Sequence, residues 1–263
     1  MTHQQTVEAA DGTSIAWTAV GNGPPVVLVH GITESAASFT PVADRLSTTN
    51  RVVTLDLRGH GESTLAATYD LAAMAGDVIA VIRAAGVERP HLVGHSLGGA
   101  VVTMVGAGFD VASVVDIDQA LQLDSFKAQL TPAEAMLRDP EQYHLVVDAM
   151  FEMMIGDRLS ADEQARVNAL RHADHEVVLG VWNLLLTRPV EEIAASVDVG
   201  LAGYAGRDVP YLALFGLDPG EGYAAWLAER IANSTVEYWE GFGHYPHLID
   251  PDRFVTRLRD FWM

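Results

Sequence analysis

His91-Leu92-Val93-Gly94-His95-Ser96-Leu97-Gly98-Gly99 (residues 91–99) is a short apolar run that breaks at a glycine-flanked serine and then resumes as an apolar, helix-patterned segment, Leu97–Gly106. The pattern reads as strand, tight turn, helix. A serine at the tip of such a turn needs small residues two places to either side, and Gly94 and Gly98 provide them, giving G-x-S-x-G. The positive end of the following helix favours negative charge beside the hydroxyl. Ser96 is therefore the candidate nucleophile.

The same alternation extends outward from this stretch. Upstream, Val26–Val29 and Arg51–Leu55 read as strands, and Thr13–Val20 as part of a hairpin after the Asp11-Gly12 turn. Ser38–Leu46 and Leu71–Ala85 carry apolar residues at helical spacing. Downstream, Val111–Ile117 is a strand. From Leu121 to Val199 only helical periodicity is found, and strands and helices alternate again through Tyr211–Phe215, Tyr223–Ile231, Thr235–Trp239 and Arg253–Trp262. Strand–helix alternation implies a mostly parallel central sheet flanked by helices, an α/β fold. The expected organisation is a catalytic core, residues 1–120 and 200–263, with a helical cap, residues 121–199, inserted between its halves.

A serine hydroxyl is a weak nucleophile until a base takes its proton. Of the ten histidines, His244 is the preferred base: it lies in a glycine-rich loop, Gly241-Phe242-Gly243-His244, after a strand. His247 is the competitor. The acid that orients the imidazole has two candidates at strand ends, Asp218 in Gly216-Leu217-Asp218-Pro219-Gly220 and Asp118 beside Asp116. Asp218 can equally be a turn residue. Two backbone amides must meet the developing oxyanion. Leu97 and Ile32 are placed to supply them, with His30 bracing the loop. His172 and His175, spaced i, i+3 on an expected helix, lack a third partner and make a weak metal signal, so no metal and no cofactor is expected.

Composition narrows the partners. The net charge of −19 disfavours nucleic acid and anionic lipid, and a neutral or cationic small molecule suits it better. There is no cysteine, which excludes disulfides and thiolate chemistry. The polar start of the sequence resembles no secretory leader, and no apolar run is long enough to span a bilayer, so a cytoplasmic protein without membrane attachment is expected. Self-association stays open.

Five segments, VLVHGI (27–32), VTLDLRGHGES (53–63), HLVGHSLGG (91–99), LFGLDPG (214–220) and EGFGHYPHLIDP (240–251), together resemble the α/β-hydrolase superfamily, in its branch of small esterases, lactonases, cofactor-free perhydrolases and carbon–carbon bond hydrolases. The resemblance implies Ser96, Asp218 and His244 as triad and Ile32 and Leu97 as oxyanion hole. In relatives the acid commonly stands three residues after the strand-end glycine, whereas Asp218 is two after Gly216. A serine at the elbow argues against epoxide hydrolases and haloalkane dehalogenases, which use a carboxylate. The implied activity is hydrolysis of a carboxylic ester or lactone. Perhydrolysis or carbon–carbon cleavage on the same triad is an alternative, as is a hydrolase-like receptor with little turnover. In the cap, Met150, Met154 and Trp182 are candidates to contact an apolar substrate.

Overall fold

The computed structural model describes residues 4–172 and 174–263; the first three residues of the polar N-terminal stretch lie outside it. Eight strands form one sheet: β1 (Gln5–Glu8), β2 (Ser14–Val20), β3 (Pro25–Val29), β4 (Arg51–Leu55), β5 (His91–His95), β6 (Ser113–Ile117), β7 (Tyr211–Phe215) and β8 (Ser234–Tyr238), in the order β1-β2-β4-β3-β5-β6-β7-β8. Pairing is antiparallel for β1–β2 and β2–β4 and parallel from β4 through β8. The Val/Leu/Ile-rich central strands are buried on both faces, as parallel strands covered by helices must be. β1 escapes the sequence reading because it is a polar, exposed edge strand with no apolar alternation.

The helices are α1 (Thr40–Leu46), α2 (Leu71–Ala84), α3 (Leu97–Gly108), α4 (Asp124–Leu130), α5 (Glu134–Arg138), α6 (Tyr143–Ile155), α7 (Ala161–Leu170), α8 (His175–Thr187), α9 (Val190–Leu201), α10 (Tyr223–Ala228), α11 (Pro246–Ile249) and α12 (Pro251–Trp262). Two apolar layers hold the sheet. One gathers Met74, Val78 and Ile82 of α2 with Val101, Val102 and Val105 of α3 against one face. The other sets Val42 and Leu46 of α1 and Phe254 and Leu258 of α12 against Val26, Leu28 and Val93. The buried guanidinium of Arg58 grips Asp77 through two bonds, Nε–Oδ2 at 2.6 Å and Nη2–Oδ1 at 2.7 Å, tying the loop after β4 to α2. Between β6 and β7 the chain forms the six helices α4–α9 and no strand among the described residues.

The chain runs from β3 outward to β4 and returns across β3 to β5. This reversal parts the loops after β3 and β5 and opens a crevice at the carboxyl ends of the strands, where open α/β sheets bind ligands. Val29 of β3 pairs with Gly94 of β5, so the loop at Gly31 is next to the turn at Ser96. The sheet register itself therefore assembles the first half of the site.

Candidate active site

Ser96 has φ 52° and ψ −124°, a conformation a side-chain-bearing residue adopts only under constraint. The constraint is close packing. A Cβ on Gly98 would lie 2.1 Å from the Val29 carbonyl oxygen, and one on Gly94 would lie 2.1 Å from that of Gly98. The Ser96 amide donates to the Ile117 carbonyl at 2.9 Å, pinning the turn to the end of β6. The elbow is thus a strained turn clamped between two neighbouring strands, as the glycine spacing predicts.

His244 is 4 % exposed. Its Nδ1 lies 2.6 Å from Oδ2 of Asp118. An ionised carboxylate only accepts, so Nδ1 carries the proton and Nε2 keeps its lone pair. Nε2 is buried without a hydrogen-bond partner among the described residues. Ser96, Asp118, His244, Ile32 and Leu97 line one cavity of about 930 Å³. Neither the Ile32 nor the Leu97 amide donates to an acceptor among the described residues.

Of the two candidate acids, the structure sets Asp118, the alternative, beside His244, against the preference for Asp218. Asp218 is exposed at the cavity and has no hydrogen bond or ion pair to His244 among the described residues; its Oδ1 accepts from the Gly220 amide at 2.9 Å, a local turn bond. Asp118 sits one residue past β6 with φ 56°, and its Oδ1 accepts from the amides of Gly216 at 2.7 Å and Leu217 at 2.9 Å. The loop after β7, where the resemblance places the acid, instead supplies two N–H groups that hold the Asp118 carboxylate, which follows β6. A Cβ on Gly216 would stand 2.0 Å from the Gly243 carbonyl oxygen, so the short loop presses directly on the histidine loop. Proximity after folding, not loop length, selects between the two aspartates.

The remaining candidates separate cleanly. His247 is in α11, packed against the rings of Phe39 and Phe254, and lines no part of the cavity. His30 braces the oxyanion loop: the Leu57 amide donates to its Nε2 at 2.9 Å, and its Nδ1 donates to the Gly31 carbonyl at 2.7 Å. His172 is in the segment between α7 and α8 and its amide donates to the Thr33 carbonyl, while His175 opens α8 and reaches the Leu137 carbonyl, so they form no pair on one helix. Met150, Met154 and Trp182 all line the cavity, whereas Met136 and Met153 are exposed. Phe151, absent from the expected set, is buried with its ring centroid 6.3 Å from that of His244. The Met154 carbonyl accepts the His244 amide at 2.8 Å, which attaches α6 to the histidine loop. No local pattern signals that contact.

Burial keeps several neighbouring histidines neutral. His60 takes the Thr33 amide on Nε2 and donates from Nδ1 to the Arg58 carbonyl, and desolvation lowers its pKa to about 3. Desolvation also lowers His30 and carries His247 well below its ordinary value. The unfolded chain binds these protons as pH falls below 6.5 and the native protein does not, so stability is lost between pH 6.5 and the depressed native values. His60 alone accounts for about 2–3 kcal/mol by pH 4.5. The urea midpoint should fall steeply between pH 7 and pH 4.5; a midpoint constant over that range contradicts the neutral assignment.

The sequence signature of the Alpha/beta hydrolase family matches residues 26–257. The chain is 24 % identical to Esterase YbfF of Escherichia coli (strain K12) over 253 residues, 91 % of this chain and 93 % of that protein. Among solved structures, esterase RhEst1 from Rhodococcus superposes with a TM-score of 0.72 at 28 % identity, covering 98 % of each chain. An esterase from Exiguobacterium antarcticum superposes with a TM-score of 0.82 at 22 % identity, covering 99 % of each chain.

Proposed function

Since the chain belongs to the alpha/beta hydrolase family and is an ester-hydrolysing enzyme, we propose that it cleaves carboxylic esters or lactones of small to medium, uncharged apolar substrates through an acyl-enzyme on Ser96. The observation that carries this reading is the state of His244. Its Nδ1–H is committed to Asp118, and its Nε2 lone pair is unpaired at the wall of the cavity that Ser96 shares.

In the first step Ser96 Oγ attacks the substrate carbonyl carbon while His244 Nε2 accepts the hydroxyl proton. The carbonyl oxygen becomes an oxyanion held by the Ile32 and Leu97 amides, each donor worth about 3 kcal/mol in the transition state. Asp118 stabilises the imidazolium without taking its proton. His244 then protonates the leaving alcohol, and the C–O bond breaks. In the second step a water gives its proton to His244 as it attacks the acyl carbon, and His244 then returns the proton to Ser96 Oγ as the acyl C–O bond breaks, releasing the acid and free Ser96. The helices of residues 121–199 act as the cap that closes the cavity and chooses the acyl group. Met150, Met154, Phe151 and Trp182 give it a mainly apolar wall, and the two flexible thioethers let it adapt to chain length. A net charge of −19 suits a neutral substrate.

A series of p-nitrophenyl esters from acetate to decanoate, with matched lactones, tests the reading. The enzyme should turn over medium chains continuously, and an aryl phosphonate should label Ser96 with one equivalent. Met150→Ala and Trp182→Ala should move the preferred chain length upward, each changing the ratio between long and short esters about tenfold. Absence of both turnover and Ser96 labelling would refute the hydrolase mechanism; unchanged chain preference in both variants would remove the assignment of the cap.

A further inference from the structure

Behind the triad lies a second buried acid–imidazole pair that the reaction scheme does not use. His95, the residue before Ser96, is 0 % exposed, and Glu34, in the loop carrying the oxyanion donor Ile32, is 3 % exposed. His95 Nδ1 and Glu34 Oε2 stand 3.5 Å apart. On the other side of the ring, His95 Nε2 lies 2.8 Å from the carbonyl oxygen of His244. The Gly31 amide also points at Glu34 Oε2, at 3.4 Å. A Cβ on Gly31 would come within 3.1 Å of Ser96 Cβ and 3.2 Å of His95 Nδ1, so the three loops are packed without slack.

Chemistry sets the protonation of this pair. A carbonyl oxygen can only accept, so His95 Nε2 must carry a proton. Its Nδ1 makes no hydrogen bond among the described residues but stands at ion-pair distance from a carboxylate, which a second N–H on the ring would meet. Both ring nitrogens therefore face acceptors, and a doubly protonated ring against an ionised Glu34 meets both. Glu34 holds the His95 pKa up, and His95 carries the Glu34 carboxyl far below its usual range. The neighbouring His247 ring, 4.6 Å away by centroid, stays neutral beside that charge. Taking one partner from a buried ion pair leaves an uncompensated buried charge and is strongly destabilising, so each of these two groups depends on the other to stay in place.

We propose that Glu34 and His95 are positioning residues for the hydrolytic reaction: His95, anchored on Glu34, holds the His244 backbone by its carbonyl and so fixes the histidine loop relative to the nucleophile elbow and the oxyanion loop. The proposal rests on the acyl-enzyme reading above. It explains why a histidine precedes the serine in a motif that leaves that position free. A side chain here reaches the loop of a residue 149 positions downstream. Hydrolysis needs Ser96 Oγ, His244 Nε2 and the two amides in register at once, and a misplacement of about 1 Å can cost about 10²-fold in rate.

The experiment compares Glu34→Gln, His95→Leu and His95→Gln with wild type, reading kcat, KM and Tm on the best ester of the series. His95→Leu removes the donor to the His244 carbonyl and should lower kcat about 10²-fold with KM within about threefold. His95→Gln places an amide N–H near the position of Nε2 and should recover about tenfold of that loss at a similar Tm. Glu34→Gln keeps the volume, removes the anchor charge and should lower kcat about tenfold. Wild-type kcat in Glu34→Gln overturns the proposal, and this variant carries the test by itself where His95→Leu does not fold. A His95→Gln enzyme no better than His95→Leu at equal Tm overturns it as well. A wild-type protein inert on every ester and lactone and unlabelled at Ser96 overturns the underlying hydrolytic reading instead, which distinguishes the two failures.

Discussion

Asp118→Asn should lower kcat for ester hydrolysis about 10⁴-fold, while Asp218→Asn should leave it within about twofold. The difference follows from what each carboxylate touches. Asp118 accepts a hydrogen bond from His244 Nδ1–H, with nitrogen and oxygen 2.6 Å apart, and two more from amides on its other oxygen. An asparagine at 118 turns an N–H toward Nδ1 or leaves it unpaired, which favours the tautomer with the proton on Nε2 and removes the lone pair that takes the Ser96 proton. It also loses the negative charge that stabilises the imidazolium. Asp218 holds one turn amide in solvent, a bond worth about 1 kcal/mol or less to stability, and has no hydrogen bond to His244 through which to act on the base. Steady-state kinetics on a single activated ester decide the matter. A large loss in Asp218→Asn with activity kept in Asp118→Asn would reverse the assignment and require the loop after β7 to rearrange in solution.

Ser96→Ala and His244→Ala should each reduce kcat about 10⁶-fold, and the double variant should be hardly worse than either single one. The two side chains act as one unit: without the base the hydroxyl is inert, and without the hydroxyl the base has no proton to take. Independent contributions would instead multiply to about 10¹². What survives in all three variants is binding in the cavity and the pull of the Ile32 and Leu97 amides, which accelerates attack by water directly. The comparison of the three rates under single-turnover conditions checks this. A double variant slower than either single one by several further orders of magnitude would show that Ser96 and His244 do not share a reaction step.

Much of the machinery is legible in linear order because its constraints are local. The elbow is a case where three neighbouring requirements coincide: an apolar strand, glycines at 94 and 98 where no Cβ fits, and a helix opening at Leu97. The oxyanion loop and the histidine loop are read the same way, since both are glycine-bearing breaks after strands. Harder are groups recruited from across the fold. The chain order and strand-end position that favour Asp218 carry no information about which carboxylate ends beside His244, because Asp118 is 126 positions from it and comes there through the β6–β7 pairing. Glu34 and His95 each look unremarkable in sequence and become a pair only when β3 and β5 lie side by side. The Met154 carbonyl that holds His244 has no side-chain signature at all.

The amino-acid sequence by itself determined the strand–helix alternation, the helical stretch between β6 and β7, and the nomination of Ser96 as nucleophile and His244 as base, because hydrophobic period, glycine placement and turn chemistry act over a few residues. Only the tertiary structure decided which aspartate stands beside His244, that Glu34 and His95 meet behind the elbow, and that Phe151 joins the nominated Met150, Met154 and Trp182 around the cavity. Those depend on distances between segments far apart in the chain, and such distances are set by sheet register and close packing.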